Sequence, residues 1–437
     1  MKRQKLFLLV LLIGLMAIAP ACGAPPTADS GSSEELSGTL VVAFESWMID
    51  KYNAHELGAR FEADHPGVTV EFITQDSPKD PVFLEWTQTG DSSADIYFGG
   101  GIGNLAPAIV DDLLIPWDDI MTGDLAEEKW IPGYLMPVEG YNGGKYPLLP
   151  GLGEVFSFQY NADLAEQAGL TGPTPTTYDE IYDWACAMNK LEGITGAELH
   201  VGNNFAIGDW GAAMIAANGT NLDADGKPAW DTPASREFHE FLKKTIDDGC
   251  SGVLTLTDTN GARNAVKAGQ VGIINESSSR ANEASVALCP TPDTFPCADR
   301  EIVQQFNYPG GKGASVFSHD LYIPRVAEDN LALARAFAIE QIWSPYAQEW
   351  TAAHYGKLPT LWPNWNQLPD NPNFNVLTDV LENSQGGWTF VDSQFLKDTY
   401  AEQLGLYIIG DQTLDEMTEN LVAANDEADL TSVTISD

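Results

Sequence analysis

The sequence predicts an α/β fold in two lobes, on three observations. The chain has 437 residues, more than one hydrophobic core usually serves. Its early part alternates strand and helix patterns, as an open sheet with right-handed crossovers does. Midway, residues 141–170 (YNGGKYPLLPGLGEVFSFQYNADLAEQAGL) read as a passage from one sheet to another.

The passage predicts a Gly143–Gly144 turn, a short strand over 145–149, and a bend on Pro150, Gly151 and Gly153. Glu154 follows, then an alternating run over 155–160 with strand period, and a helix from Asn161. Gly and Pro stand where a chain changes direction. An acid at the crossing between two sheets is what a hinge would look like.

The remaining elements follow in order. The segment 38–45 (GTLVVAFE) is a near-continuous apolar run, as a buried parallel strand requires. A helix with Tyr52, Leu57 and Phe61 inward ends at His65-Pro66-Gly67, and VTVEFI (68–73) is the next strand. A third strand, ADIYF (94–98), runs into Gly99-Gly100-Gly101, with a helix over 104–112 behind it. After the passage, helices are expected over 177–191 and 205–217, a turn-rich hairpin over 218–232, and a helix over 233–248. Thr232-Pro233 supplies that helix with an N-cap and a Pro at its first position. A short helix (262–268), a buried strand VGIIN (271–275), a strand near 320–323 stopped by Pro324, and one long helix (330–346) come next. Helices over 375–383, 394–407 and 414–424 close the chain.

The start is read apart from the fold. Lys2, Arg3 and Lys5 precede an apolar run over 6–18, too short to span a bilayer comfortably, and Ala19-Pro20-Ala21-Cys22 follows. This predicts a signal peptide over 1–21. The small residues before the cysteine resemble a lipobox, which implies a lipidated Cys22 and anchoring to the outer face of the cell membrane. Residues 22–35 have the composition of a flexible tether.

Composition excludes some partners. The formal charge of −41, from 63 acids against 22 cations, repels nucleic acid and anionic lipid. Beyond Cys22 the cysteines are Cys186, Cys250, Cys289 and Cys297, an even number that suggests disulfides in an exported protein. Cys289 and Cys297 flank the Pro-rich TPDTFP loop and are paired here, worth roughly 2.6 kcal/mol in the chain-entropy model. Cys186 and Cys250 then remain for each other. There is no CxxC and no close His pair, so no metal site is expected. Asn221, Asp223, Asp225 and Gly226 imitate the start of a calcium loop, but Thr232 stands where the closing Glu belongs.

The order of motifs resembles the extracellular solute-binding proteins of bacterial ABC transporters, in the sugar-binding, maltose-binding-protein-like family. The resemblance rests on Phe61-Glu62 with Pro66-Gly67-Val68-Thr69-Val70, on Asp95 to Phe98, and on Asn142 to Pro150 with one extra Gly. Tyr160 to Leu164, Pro175 to Glu180 and Asp223 to Ala234 continue it, as does the stretch from Val266 to Ile274. It implies a type II periplasmic-binding-protein-like fold, with lobe 1 at 36–153 and 313–356 and lobe 2 at 154–312 and 357–437. A hinge and an interlobe ligand cleft go with that fold. It further implies a monomeric receptor without catalysis or cofactor, which closes on a carbohydrate and hands it to permease subunits.

A sugar offers apolar ring faces to aromatic side chains and hydroxyls to carboxylates and amides. Ligands in open α/β sheets sit beyond the carboxyl ends of the strands. Glu45 and Trp47, after the first strand, are therefore a candidate hydroxyl acceptor and a candidate stacking platform; Trp47 could equally pack. The resemblance puts Glu154 at the ligand or in hinge hydrogen bonding. It draws second-lobe contacts from Asn203, Asn204, Asp209 and Trp210, and a last aromatic contact from Trp388. Ser278 stands where the family often has Trp, and three glycines (99–101) stand where maltose-type contacts would be. The acid-rich composition leaves a cationic solute such as a polyamine as an alternative. A glycoside hydrolase would need two carboxylates about 5–9.5 Å apart, and Glu45 with Glu154 is the pair available.

Overall fold

The computed structural model describes residues 36–75, 86, 89–100, 102–138, 141, 144–202, 205–289 and 302–432. The expected signal peptide, Cys22, the tether, Asn203, Asn204 and Cys297 lie outside them.

The apolar run at the start becomes β1 (Ser37–Glu45), flanked in parallel by β2 (Gly67–Gln75) and β3 (Ile96–Phe98). Burial on both faces explains its unbroken Leu40, Val42, Ala43 and Phe44. The helix between β1 and β2, Ala54–Asp64, turns Leu57 and Phe61 inward. β3 then pairs antiparallel with β9 (Val316–Tyr322), and β9 with β4 (Leu149–Asn161).

β4 is the element that joins the two parts of the sheet. Its first half, Leu149–Val155, pairs with β9. Its second half, from Phe156 onward, pairs with β7 (Val271–Ser277) and β8 (Val303–Phe306). Beyond β7, in parallel, come β5 (Thr195–Glu198) and β6 (Ser251–Gly252). All thirteen residues of β4 are buried, although they include one Pro and two Gly.

This corrects the sequence expectation of a separate strand over 145–149 and a bend at 150–153. The chain runs straight through the Pro-Gly-Leu-Gly stretch with a register shift between Pro150 and Leu152. The carbonyls freed there are taken by side chains. Trp343 Nε1 donates to Pro150 O at 2.9 Å, Thr360 Oγ1 donates to the same carbonyl at 3.0 Å, and Gln348 Nε2 donates to Gly151 O at 3.0 Å. The glycines serve close packing rather than turning. A Cβ on Gly153 would lie 2.3 Å from the Tyr134 ring, and one on Gly151 would lie 2.5 Å from the Phe98 ring.

The expected long helix over 330–346 is also corrected. It breaks into Leu331–Phe337, a π-turn over Ala338–Ile342, and a new helix, Pro345–Tyr355, capped by Ser344. Ser-Pro is a helix start, and Pro in a helix interior would cost a hydrogen bond. The other helices form near their expected positions. Tyr178–Met188 carries a full capping box from Thr177 and Glu180, and Pro233–Asp247 is capped by Thr232. β5, β6 and β8 were not anticipated; they are two to four residues long and carry too little pattern to be read.

The buried apolar residues collect in two large bodies. One gathers around Phe44, Phe61, Phe98, Trp117, Trp343 and Leu361. The other gathers around Phe158, Trp210, Trp230, Phe238, Tyr400 and Leu421. A smaller cluster of Tyr134, Val155, Val316, Leu358 and Leu377 lies where β4 changes partners. Three chain segments meet at that point: Gly153 exchanges both backbone hydrogen bonds with Leu358 at 2.8 Å, and Phe156 N donates to Ser315 O at 3.0 Å. Cys186 and Cys250 form the expected disulfide. Cys289 is also disulfide-bonded. Among the described residues no helix is long and apolar enough to cross a membrane.

Candidate functional site

A cavity of about 390 Å³ opens beside the partner change in β4. Glu45 at the end of β1, Gly100 after β3, and Ser318 and His319 of β9 form one side. Phe156 of β4, Phe205, and the face of helix Ala206–Asn218 carrying Ile207, Gly208 and Gly211 form the other. Asn221, Trp388, and Gln394 and Lys397 of helix Ser393–Ile409 complete it, with Ser315, Val316 and Phe317 between the sides. Aromatic and apolar walls with a few polar groups are the usual makeup of a small-molecule site, and the volume lies within the usual range of roughly 300–1,000 Å³.

Of the residues singled out from sequence, Glu45 and Trp388 line this cavity. Glu45 is half-buried, and both of its oxygens have partners. Trp47 Nε1 donates to one at 2.7 Å, and the Gly100 backbone N–H donates to the other at 3.2 Å. It thereby holds the glycine loop after β3, where a side chain at Gly99 would meet the Glu45 carboxylate at 3.0 Å and where φ is +151°. Trp388 forms the outer edge of a tryptophan cluster, 5.5 Å from Trp210 and 5.2 Å from Trp230 between ring centroids.

Trp47 stands one layer back from the cavity. Its ring meets the edge of His319 at 5.2 Å and lies 5.1 Å from Lys357 Nζ and 5.5 Å from Lys51 Nζ. His319 itself reaches the cavity, and burial pushes its imidazole down to about 4, so it is neutral at neutral pH.

The other candidates are placed in the interior. Glu154 is 2% exposed. It accepts from Ser279 Oγ at 2.6 Å, contacts Lys357 Nζ, and lies 3.4 Å from His319 Nε2. Both carboxylate oxygens are engaged at the β4 crossing. Ser278 is 1% exposed and ties its backbone N–H to Val155 O at 2.8 Å. Trp210 is fully buried, donates to Ser235 Oγ at 2.9 Å, and packs on Trp230 at 4.4 Å. Asp209 is fully buried between His200, at 2.9 Å, and the Tyr308 hydroxyl. Helical period explains the outcome for these two: Ile207, Gly208 and Gly211 share the cavity face, which leaves 209 and 210 pointing inward.

Asp209 belongs to a buried ionic chain that sequence reading missed. His200 Nε2 lies 3.5 Å from Glu276, and Arg263 donates to Glu276 at 2.7 Å. Burial pulls His200 down, but Glu276 and Asp209 outweigh it and raise its pKa. Glu276 ends lowered because His200, Arg263 and Arg280 oppose the upward push of burial. The sequence held no signal for this chain, since its members are spread from 200 to 308. Asn221, Ser315 and Gly211 were missed at the cavity for a related reason. They are ordinary turn, loop and helix residues until the fold brings them together.

No group of three or more His, Cys, Asp or Glu among the described residues could hold a metal ion.

Solved structures with this architecture exist. The GacH receptor of Streptomyces glaucescens, studied unliganded and with acarbose, superposes with a TM-score of 0.73 at 19% identity, covering 90% of this chain and 98% of that one. Maltose-bound MalE3 of T. maritima gives 0.73 at 17%, covering 89% and 99%. The sugar-binding protein MalE of Xanthomonas citri gives 0.71 at 17%, covering 89% and 97%. No curated protein matches the chain. Residues 56–364 match the family described as bacterial extracellular solute-binding protein, more than half of the sequence, and the chain belongs to that family.

Proposed function

We propose that the chain is the extracytoplasmic receptor of an ABC importer, that its solute is a carbohydrate held in the cavity beside β4, and that it delivers this solute to permease subunits. The observation that carries the reading is the lining. Trp388, Phe156, Phe205 and Phe317 provide apolar faces for a ring, and Asn221, Ser315, Ser318 and Gln394 provide neutral polar groups for hydroxyls. The solved structures it resembles support it: among them are complexes with acarbose, maltose, D-mannitol and α-D-tagatose and a chitin oligosaccharide binding protein.

In this reading Glu45 and Trp388 are ligand contacts. The lobes are 36–153 with 313–356 and 154–312 with 357–437, and they close about the β4 crossing. The mature protein is a monomer anchored through lipid on Cys22, after removal of residues 1–21, and Cys297 is the partner of Cys289. No chemical step is assigned. Glu154, one of the two acids considered for hydrolysis, is committed to Ser279 and Lys357. A neutral solute is favoured over a polyamine, because Glu45 alone of Glu45, Asp209 and Glu154 lines the cavity.

Isothermal calorimetry with maltose, mannitol, tagatose and chitobiose tests the assignment. Binding that is insensitive to ionic strength is expected for one or more of them. An absence of heat with every mono- and oligosaccharide tried, or release of reducing ends on incubation, would remove it.

A further inference from the structure

Helix Ala206–Asn218 passes the cavity with Gly208 and Gly211 on the facing side, and the two glycines differ in what stands over them. A Cβ on Gly208 would lie 2.1 Å from the Phe156 ring, so the aromatic side chain already fills that space. A Cβ on Gly211 would meet only Asn221 Nδ2 at 3.4 Å and Ser315 Oγ at 3.6 Å. The fold therefore has room for a methyl group at 211 that the sequence does not use, and a side-chain amide and a hydroxyl converge on that room.

Both of those polar side chains are deep. Asn221 is 7% exposed and Ser315 is 4% exposed. Neither side chain has a hydrogen-bond partner among the described residues, and both residues border the cavity. Each is held by its backbone instead: Asn221 O accepts from Ala229 N at 3.1 Å, and Ser315 O accepts from Phe156 N at 3.0 Å. Two polar groups, 3.4 Å and 3.6 Å from where a Cβ on Gly211 would stand and bordering the cavity, make a place for a hydrogen-bonding group of a ligand.

We infer that Gly211, Asn221 and Ser315 form a hydroxyl-recognising subsite, in which an uncharged polyol group of the solute lies flat on the helix and exchanges hydrogen bonds with the Asn221 amide and the Ser315 hydroxyl. This rests on the carbohydrate reading of the cavity and sharpens it. The recognising groups carry no charge, so the part of the solute seated there is neutral. A hydroxyl both donates and accepts, which suits an amide and a hydroxyl together. The absent side chain at 211 sets the depth to which the ring descends.

Gly211→Ala separates this role from a structural one. Its methyl group has ordinary contact distances and Ala is the better helix former, so thermal stability should hold or rise. The same methyl group occupies the subsite. Crystals of the wild-type chain soaked in glycerol should show hydroxyls bonded to Asn221 Nδ2 and Ser315 Oγ, and Gly211→Ala crystals should not. For any sugar found to bind by calorimetry, Gly211→Ala should weaken affinity at least about tenfold, and Asn221→Ala should weaken it in the same direction. Sugar binding unchanged in both variants overturns the subsite and leaves the carbohydrate reading standing. Glycerol seated on Asn221 and Ser315, with no sugar binding the wild type, does the reverse. Glycerol absent from these two residues in the wild type also overturns the subsite.

Discussion

His200 Nδ1 and Asp209 Oδ2 lie 2.9 Å apart, and both side chains are fully buried. The aspartate sits in the first turn of the helix whose neighbouring residues line the cavity, and it faces the interior to hold an imidazole. Asn275, Glu276, Arg263 and Tyr308 close the surroundings of the pair: Asn275 Oδ1 accepts from His200 N at 2.8 Å, Glu276 faces the far ring nitrogen, Arg263 pairs with Glu276, and Tyr308 donates to Asp209.

A pH dependence of stability follows. The folded pKa of His200 is raised, whereas an unfolded His titrates near about 6.5. Its proton contributes stability that is whole below the unfolded value and is lost as pH rises through the folded one. Thermal midpoints measured from about pH 6 to about pH 9 should decline, and His200→Gln should flatten the decline. A variant that keeps the full slope would place its cause elsewhere.

Glu154 and Lys357 form a buried pair 203 residues apart in sequence. Removing one partner leaves an uncompensated buried charge, which costs about 3–5 kcal/mol. Glu154→Gln and Lys357→Met should each lower the unfolding free energy by that order in denaturant titrations, and the double variant should lose less than their sum. Additive losses would show that the two groups do not act as a pair.

The Cys186–Cys250 bond closes a loop with a sequence separation of 64, for which the chain-entropy model gives roughly 4 kcal/mol. The Cys186→Ser, Cys250→Ser double variant should melt well below the wild type. Identical melting would mean that the bond contributes nothing to folding.

Trp388 lines the cavity and Trp47 does not. Trp388→Ala should weaken sugar affinity by about 1–2 kcal/mol through loss of a ring face. Trp47→Ala should act mainly on stability, because its ring neighbours are His319, Lys51 and Lys357. The opposite ranking in paired calorimetry and melting experiments would return Trp47 to the ligand.

Strands β1, β2, β3 and β7, the Thr232-Pro233 helix start and the family were legible in sequence because each has a local cause. The unbroken apolar run of β1 and the Thr232-Pro233 helix start are both short-range patterns. The cavity was legible only in part. Glu45 follows a strand end, where ligands gather, and Trp388 is a large ring after two glycines. Asp209 and Trp210 came from the resemblance, and a place in an order of motifs does not say which face of a helix is inward. Gly151 and Gly153 had the same ambiguity: the letters report a missing side chain, and only Phe98 and Tyr134 explain what occupies its space. The break at Ser344-Pro345 was readable, since that pair starts a helix as clearly as Thr232-Pro233 does.

The thirteen residues of β4 run through both parts of the sheet without interruption. A strand laddered to β9 over one half and to β7 and β8 over the other resists being stretched or slid, because either motion breaks several ladder hydrogen bonds together. Twist is the soft coordinate that remains, spread over the few peptide units around Val155 and Phe156 where the partners change. The protein thus carries a torsion bar through its middle. Rotation of one end against the other would be taken up as twist over those peptide units, where the ladder passes from β9 to β7 and β8.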